Sequence, residues 1–215
     1  MEELPNSQNQ GNQSAGESKR GLGKPLIALI AAVAVIAVYF VSTYNGLVRL
    51  DETVKAKMAN VDSQYKRRAD LIGNLVETVK GYAGHESDTL TEVVNARAKA
   101  TSTNLNVDNA GAMAEFQANQ DALSSALSKL MVVVERYPDL KANQNFLELQ
   151  SQLEGTENRI NTARMDYNEA VRGFNTKIRS FPTNIVAGFF GSLNERAVFE
   201  ASSAERAAPK VDFSK

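Results

Sequence analysis

Between residues 44 and 82 apolar side chains recur at alternating steps of three and four: Leu47, Leu50, Val54, Met58, Val61, Tyr65, then Arg68, Ile72, Leu75, Val79 and Tyr82. This spacing keeps one stripe of a helix turned toward a partner along its whole length. The chain must therefore supply further helices to cover that stripe. One member of the stripe is an arginine, so the passage is a packing seam and a polar signature together.

Upstream, the seam joins a different kind of segment. Residues 1–24 are rich in Asn, Gln, Ser and Gly and carry almost no apolar side chains, a composition expected to stay disordered. From Leu26 to Val41 every residue is apolar, and Ser42, Thr43 and Tyr44 follow. As a helix this stretch is roughly 28 Å long, close to the hydrocarbon thickness of a bilayer. Tyr39, Phe40 and Tyr44 cluster at one end, as an interfacial aromatic belt does. Pro25 suits the first turn of a helix.

A cleaved signal sequence is the competing reading, since Lys19, Arg20 and Lys24 precede the run and Ala-rich sites lie inside it. The apolar stretch runs past those sites into the seam, which favours an uncleaved anchor over residues 25–43. Basic residues balance across the span, Lys19, Arg20 and Lys24 before it and Arg49, Lys55 and Lys57 after it. The N-terminal set is slightly closer, which points to a cytoplasmic N-terminus and a bundle outside.

Three more helical patterns follow over residues 44–200. A turn at Gly81-Tyr82-Ala83-Gly84 leads to a helix from about Glu86 to Thr101, with Leu90, Val93, Arg97 and Ala100 on one face. The third helix, about 108–137, carries Met113, Phe116, Gln120, Leu123, Leu127, Leu130, Val134 and Tyr137 and stops at Pro138. Asp139 is placed to cap the fourth. That helix, about 142–181, carries Phe146, Leu149, Leu153, Thr156, Ile160, Ala163, Tyr167, Ala170, Phe174 and Ile178 and ends before Pro182.

No stretch alternates with period two, so sheet is not expected. The spacing predicts an all-α chain: one N-terminal transmembrane helix, then a long antiparallel four-helix bundle with a short apolar C-terminal segment. The second helix is about half as long as the first. Either the ends of the long helices protrude as a narrower stalk or the connection is partly helical. Asn45-Gly46 is a candidate hinge between anchor and bundle. The tail 201–215 reads as extended, with Val211 and Phe213 available for docking.

Composition narrows the chemistry. With 24 Lys+Arg against 25 Asp+Glu and no basic patch interleaved with aromatics, nucleic acid is not an expected partner. There is no cysteine and a single histidine, His85, which leaves no recognisable metal spacing. His85-Glu86 loosely matches the phospho-accepting box of sensor kinases, but no Gly-rich ATP-binding region follows. A helix-start role for Glu86 at the positive end of the dipole is the simpler reading. No catalytic residue, metal or cofactor is assigned, and the chain is not expected to be an enzyme.

Arg68 and Arg97 on apolar faces are the sharpest polar signal, because a buried guanidinium needs carboxylate partners. Asp70, Glu135 and Glu157 are the candidates for a buried polar network that fixes helix register. The other readings are a site for an anionic ligand or partner, and snorkelling to solvent. The apolar segment 181–191 is the second candidate. If the helices alternate in direction, it returns toward the bilayer beside Tyr44. Ile185, Val186, Phe189 and Phe190 then enter the membrane interface, pack on a neighbouring protomer, or cap the chain's own bundle.

The chain resembles the LemA family in many short blocks taken in order. They include Tyr44-Asn45-Gly46-Leu47-Val48, the run from Arg67 to Val76, Lys80 to Glu86, Ala96-Arg97 and Glu135 to Asn143. Asn145-Phe146, Leu153 to Ile160, Tyr167-Asn168, Phe181 to Gly191 and Phe199-Glu200-Ala201 continue the series, so the likeness covers residues 26–215. Gly73 departs from it, standing where the family pattern usually has proline, which replaces any kink with flexibility. The resemblance implies a single-pass protein of the bacterial inner membrane with a helical bundle and no established catalytic activity. The expected role is assembly or interaction: a homo-oligomer or a membrane protein partner beside the lipid bilayer. The alternative is a sensor or regulator that couples to a membrane protease or signalling partner.

Overall fold

A computed structural model describes residues 23–103, 107, 109–191 and 193–200. Expectations for residues 1–22 and for the tail 201–215 lie outside the described residues. Among the described residues the regular structure is entirely helical: α1 (Gly23–Tyr82), α2 (Ser87–Ser102), α3 (Ala110–Val134), α4 (Pro138–Lys141), α5 (Gln144–Arg179) and α6 (Thr183–Phe189). The chain divides into two compact units, residues 1–41 and 42–215.

The described part of the first unit is the apolar opening of α1. None of its most apolar window is buried, and Leu26, Val33, Ile36 and Val38 each expose more than half their surface. This stretch is long and apolar enough to cross a membrane, where hydrocarbon replaces water around such side chains.

In the second unit the seams read from sequence face inward. Leu47, Val54, Met58, Val61, Tyr65, Arg68, Ile72, Leu75 and Val79 of α1 are all buried. Leu50 is partly buried, and Tyr82 departs furthest. It stays exposed and its Oη accepts a hydrogen bond from Asn143 Nδ2 at 2.8 Å. α1 passes Asn45-Gly46 and Gly73 without a break.

Asparagines set two helix starts. Asn109 Oδ1 accepts from the N–H groups of Gly111 and Ala112 at the head of α3, and Asn143 Oδ1 accepts from that of Phe146 in α5. Each satisfies amide groups that the first helical turn leaves unpaired. Asp139 does not cap α5. It lies within the single turn of α4, which Pro138 opens.

Contacts between side chains give the directions. Tyr82 meets Asn143 and Lys57 pairs with Asp166 at 2.8 Å, so α5 runs antiparallel to α1. Lys129 pairs with Glu92 at 2.6 Å while Asn119 Nδ2 donates to Thr103 Oγ1, so α3 runs antiparallel to α2.

The apolar interior falls into two clusters. One joins Ile72, Leu75 and Val79 of α1 to α2, Leu123 to Val134 of α3, and Phe146 and Leu153 of α5. The other joins Leu47 to Tyr65 of α1 to Met113 and Phe116 of α3 and Ile160 to Ile178 of α5. Ala187 of α6, Leu193 and Phe199 complete it.

The short second helix therefore does not leave the rest of the bundle as a bare stalk. With sixteen residues, α2 is about 24 Å long and covers only the far half of the bundle. α6 and the irregular segment 193–200 close the half nearer residue 44. At about 3.3 Å per residue an extended run of this length reaches about 26 Å, so eight residues outside a helix do the work of sixteen within one.

Candidate functional site

Arg68 sits between the two clusters, only 4% exposed. Its seam position sends the side chain inward, and the surrounding helices supply its partners. Nε lies 2.7 Å from Glu157 Oε1 of α5, Nη2 donates to Ser124 Oγ of α3 at 2.6 Å, and Nη1 reaches Gln120 Oε1 at 3.5 Å. The Nε–H does not point along the line to the carboxylate, so that contact is an ion pair without an aligned hydrogen bond. Gln120 Nε2 donates in turn to Ala100 O of α2 at 3.3 Å. One polar layer thus touches α1, α2, α3 and α5.

The five residues expected to share a network separate into three pairings. Arg68 and Glu157 meet in the interior. Arg97 is partly exposed; its Nε donates to Ala69 O at 2.6 Å and its Nη2 lies 3.8 Å from the exposed Asp70. Its guanidinium rests over Gly73, at ordinary contact distance from where a Cβ would be. Glu135 stands at the surface beyond α3 and pairs with Lys141, away from both arginines.

Glu86 occupies the cap position of α2 but makes no capping hydrogen bond with its side chain. Its carboxylate instead accepts from Tyr137 Oη at 3.0 Å and pairs with Arg136 at 3.1 Å. That hydrogen bond raises the Tyr137 phenol above its ordinary value. His85 is exposed. Among the described residues no three His, Cys, Asp or Glu side chains come close enough to share a metal.

A second buried ion pair escaped the sequence reading. Arg196, in the irregular segment, reaches Asp51 of α1 with Nη2 at 2.6 Å and Nε at 3.1 Å from the same oxygen, and both residues are 8% exposed. Lys55 approaches the other Asp51 oxygen at 2.9 Å. Burial works to raise the Asp51 carboxyl, but hydrogen bonds and charge from Lys55 and Arg196 outweigh it and hold the group below its ordinary value. The Arg196 guanidinium also lies over the Phe174 ring, 5.4 Å from its centroid. Asp51 had a signal of its own, since Leu47, Asp51 and Val54 also keep steps of four and three. Leu50 fills the same gap in the pattern and hides it.

Two asparagines of α5 hold the same segment by its backbone. Asn175 donates to Arg196 O and accepts from Arg196 N–H, both at 2.9 Å. Asn168 treats Phe199 in the same way, again at 2.9 Å twice. The registers agree because seven helical residues rise about 10.5 Å and three extended residues span about 10 Å. Segment 196–199 must therefore be nearly extended. Between the brackets Tyr167 Oη donates to Ala197 O at 2.7 Å, and burial pushes that phenol up to about 12. Gln117 and Arg164 donate to Glu200 O at 2.8 and 2.9 Å. The spacing of seven between Asn168 and Asn175 was visible in the sequence, but its partner strand was not.

The apolar segment 181–191 divides by face. Val186 is fully buried, and Phe190 packs on Tyr44 with ring centroids 4.3 Å apart, so these two belong to the bundle's own core. Ile185 and Phe189 point outward at 56% and 78% exposure, joined by Phe181 at 79%. Lys177 and Arg179 occupy the last turn of α5 just before them.

Comparison with known proteins places these features in one family. The family model described as the LemA family matches residues 57–213, a span that contains Arg68, Asn168, Asn175 and Arg196. The chain is 28% identical over 181 residues to Protein LemA of Metamycoplasma hominis, covering 84% of this chain and 80% of that protein. It is 31% identical over 200 residues to Magnetosome protein MamQ 2 of Paramagnetospirillum magneticum, covering 81% of this chain and 73% of the relative. With Magnetosome protein MamQ of Magnetospirillum gryphiswaldense the identity is 27% over 199 residues, at the same coverages.

Proposed function

The chain belongs to the LemA family, and from that premise we propose that it is a single-pass, membrane-anchored interaction module whose bundle assembles with itself or with a membrane partner and performs no catalysis. The observation that carries this reading is the contrast between interior and surface. Inside, Arg68 on its apolar seam and Arg196 in the irregular segment are engaged with carboxylates that tie separate segments together. Outside, large apolar side chains gather on one face of α6. An uncovered apolar cluster on a bundle with an internally neutralised core marks a place of contact.

The apolar stretch of α1 is the anchor, with the N-terminus cytoplasmic and the bundle outside. Protease protection on spheroplasts tests that orientation: a bundle degraded only after the inner membrane is permeabilised overturns it. Crosslinking in native membranes followed by mass spectrometry tests the role. A ladder of self-crosslinks supports assembly. A single dominant foreign partner supports the sensor or regulator reading instead, and turnover abolished by His85→Ala with the fold intact would replace both with an enzyme.

A further inference from the structure

We infer that the outward face of α6 is a second membrane contact, with Phe181, Ile185 and Phe189 seated in the interfacial zone of the bilayer that the apolar stretch of α1 spans. This rests on reading that stretch as a membrane anchor.

The first support is chemical. From Phe181 to Gly191 the chain carries no charged residue. A short helix on the outside of a water-soluble bundle shows a polar outer face. α6 carries apolar side chains on both sides: Val186 and Ala187 face the core, while Ile185 and Phe189, with Phe181 just before the helix, face out at 56%, 78% and 79% exposure, Asn184 being the exposed polar side chain among them. Its own bundle covers one side only.

The second support is position, and it depends on chain length alone. Phe190, next to Phe189, lies against Tyr44. Tyr44 is three residues beyond Val41, where the uninterrupted apolar run ends. Three residues of any conformation span at most about 11 Å. Interfacial helices sit about 5–10 Å into the boundary between headgroups and acyl chains, so the outward face of α6 is within reach of that zone.

The third support is charge. Lys177 and Arg179 close α5 immediately before the patch, and Arg179, which pairs with Glu195 at 3.6 Å, remains largely exposed. Cations beside an aromatic wedge suit anionic lipid headgroups. A second copy of the chain would cover the apolar side chains equally well. It would not account for the short run of chain between Tyr44, on which Phe190 packs, and the end of the apolar stretch, or for the basic residues at the edge of the patch.

The chain has no cysteine, so a single introduced cysteine can be labelled cleanly. The test uses the full chain in vesicles of phosphatidylcholine and phosphatidylglycerol, labelled with an environment-sensitive fluorophore at Ile185→Cys, with both phenylalanines retained. Lipids spin-labelled near the headgroup should quench this label and its emission should be blue-shifted. A label at Val132→Cys, exposed on the far half of α3, should be neither quenched nor shifted. Replacing Phe181 and Phe189 together by Asp should release the Ile185 label into water while leaving the melting curve unchanged, since both side chains lie outside the core.

An Ile185 label that matches the Val132 control overturns the proposal. So does one shielded from water but unquenched by lipid, with Phe189→Cys forming disulfides between copies. That second outcome assigns the patch to a protomer interface and leaves the interaction module standing. A label at Val35→Cys, within the span, is the separate check on the anchor: if lipid spin-labelled near the end of the acyl chain does not quench it, the anchor reading itself fails.

Discussion

Arg68 and Asp51 are both buried charges, yet their partners differ in how much water they keep. The Glu157 side chain is 44% exposed, so losing the arginine leaves a carboxylate that water can still solvate. Losing Glu157 leaves a guanidinium in the interior with only Gln120 and Ser124. Glu157→Ala should therefore destabilise the fold by about 3 kcal/mol, near the low end for orphaning a buried charge. Arg68→Met, which fills similar volume with an apolar chain, should cost less. Denaturant titration of both variants checks the order, and a reversed order sinks the argument.

Asp51 adds a dependence on pH. Its carboxyl is held below its ordinary value in the fold, so it binds protons less readily there than in the unfolded chain. The pair therefore stabilises the fold above the ordinary carboxylate range, and that contribution drains as pH falls below about 4. Melting curves of the protein and of Asp51→Asn should lie far apart at neutral pH and converge in acid. A gap that stays constant with pH would show that the Asp51 charge contributes nothing. Arg68 was legible because nothing but its charge breaks the seam. Asp51 was not, because Leu50 satisfies the same spacing.

At the scale of elements, the long helices were readable and the segment that locks them was not. α1, α3 and α5 bury the stripes their spacing predicted, because a 3.6-residue period is written into each helix locally. The short α2 was also recognised, but what covers the bundle where α2 ends has no period to read. Its clearest trace is the pair Asn168 and Asn175, two turns apart on α5. Each bracket makes two hydrogen bonds to a peptide group held against the core, so Asn168→Ala or Asn175→Ala should cost about 1–3 kcal/mol. Amide hydrogen exchange should quicken at Phe199 in the first variant and at Arg196 in the second, with Leu75 and Leu130 unchanged. Asn175→Asp, which still accepts from Arg196 N–H but cannot donate to its carbonyl, should fall between. Equal exchange in the unaltered protein and all three variants would mean that the brackets do not hold the segment.

Over the whole second unit, the polar layer at Arg68 separates two apolar clusters that are closed in different ways. One is closed by α2, its neighbour in sequence; the other by α6 and a segment from the end of the described chain. Ending the chain before Leu193 should expose the cluster around Tyr167 and Phe174 while the cluster around Leu75 and Leu130 stays protected from exchange. Uniform loss of protection would mean that the two halves fold as one. The helical class, the apolar stretch suited to a membrane, the seams and the oddity of Arg68 all follow from residue order, because periodicity and hydrophobic length are properties of neighbours along the chain. The closing of the second cluster, the choice of Glu157 over Glu135, and the division of α6 into a buried and an outward face were decided only by the tertiary fold. Arg196 finds Asp51 across 145 residues, and no local pattern carries a contact over that distance.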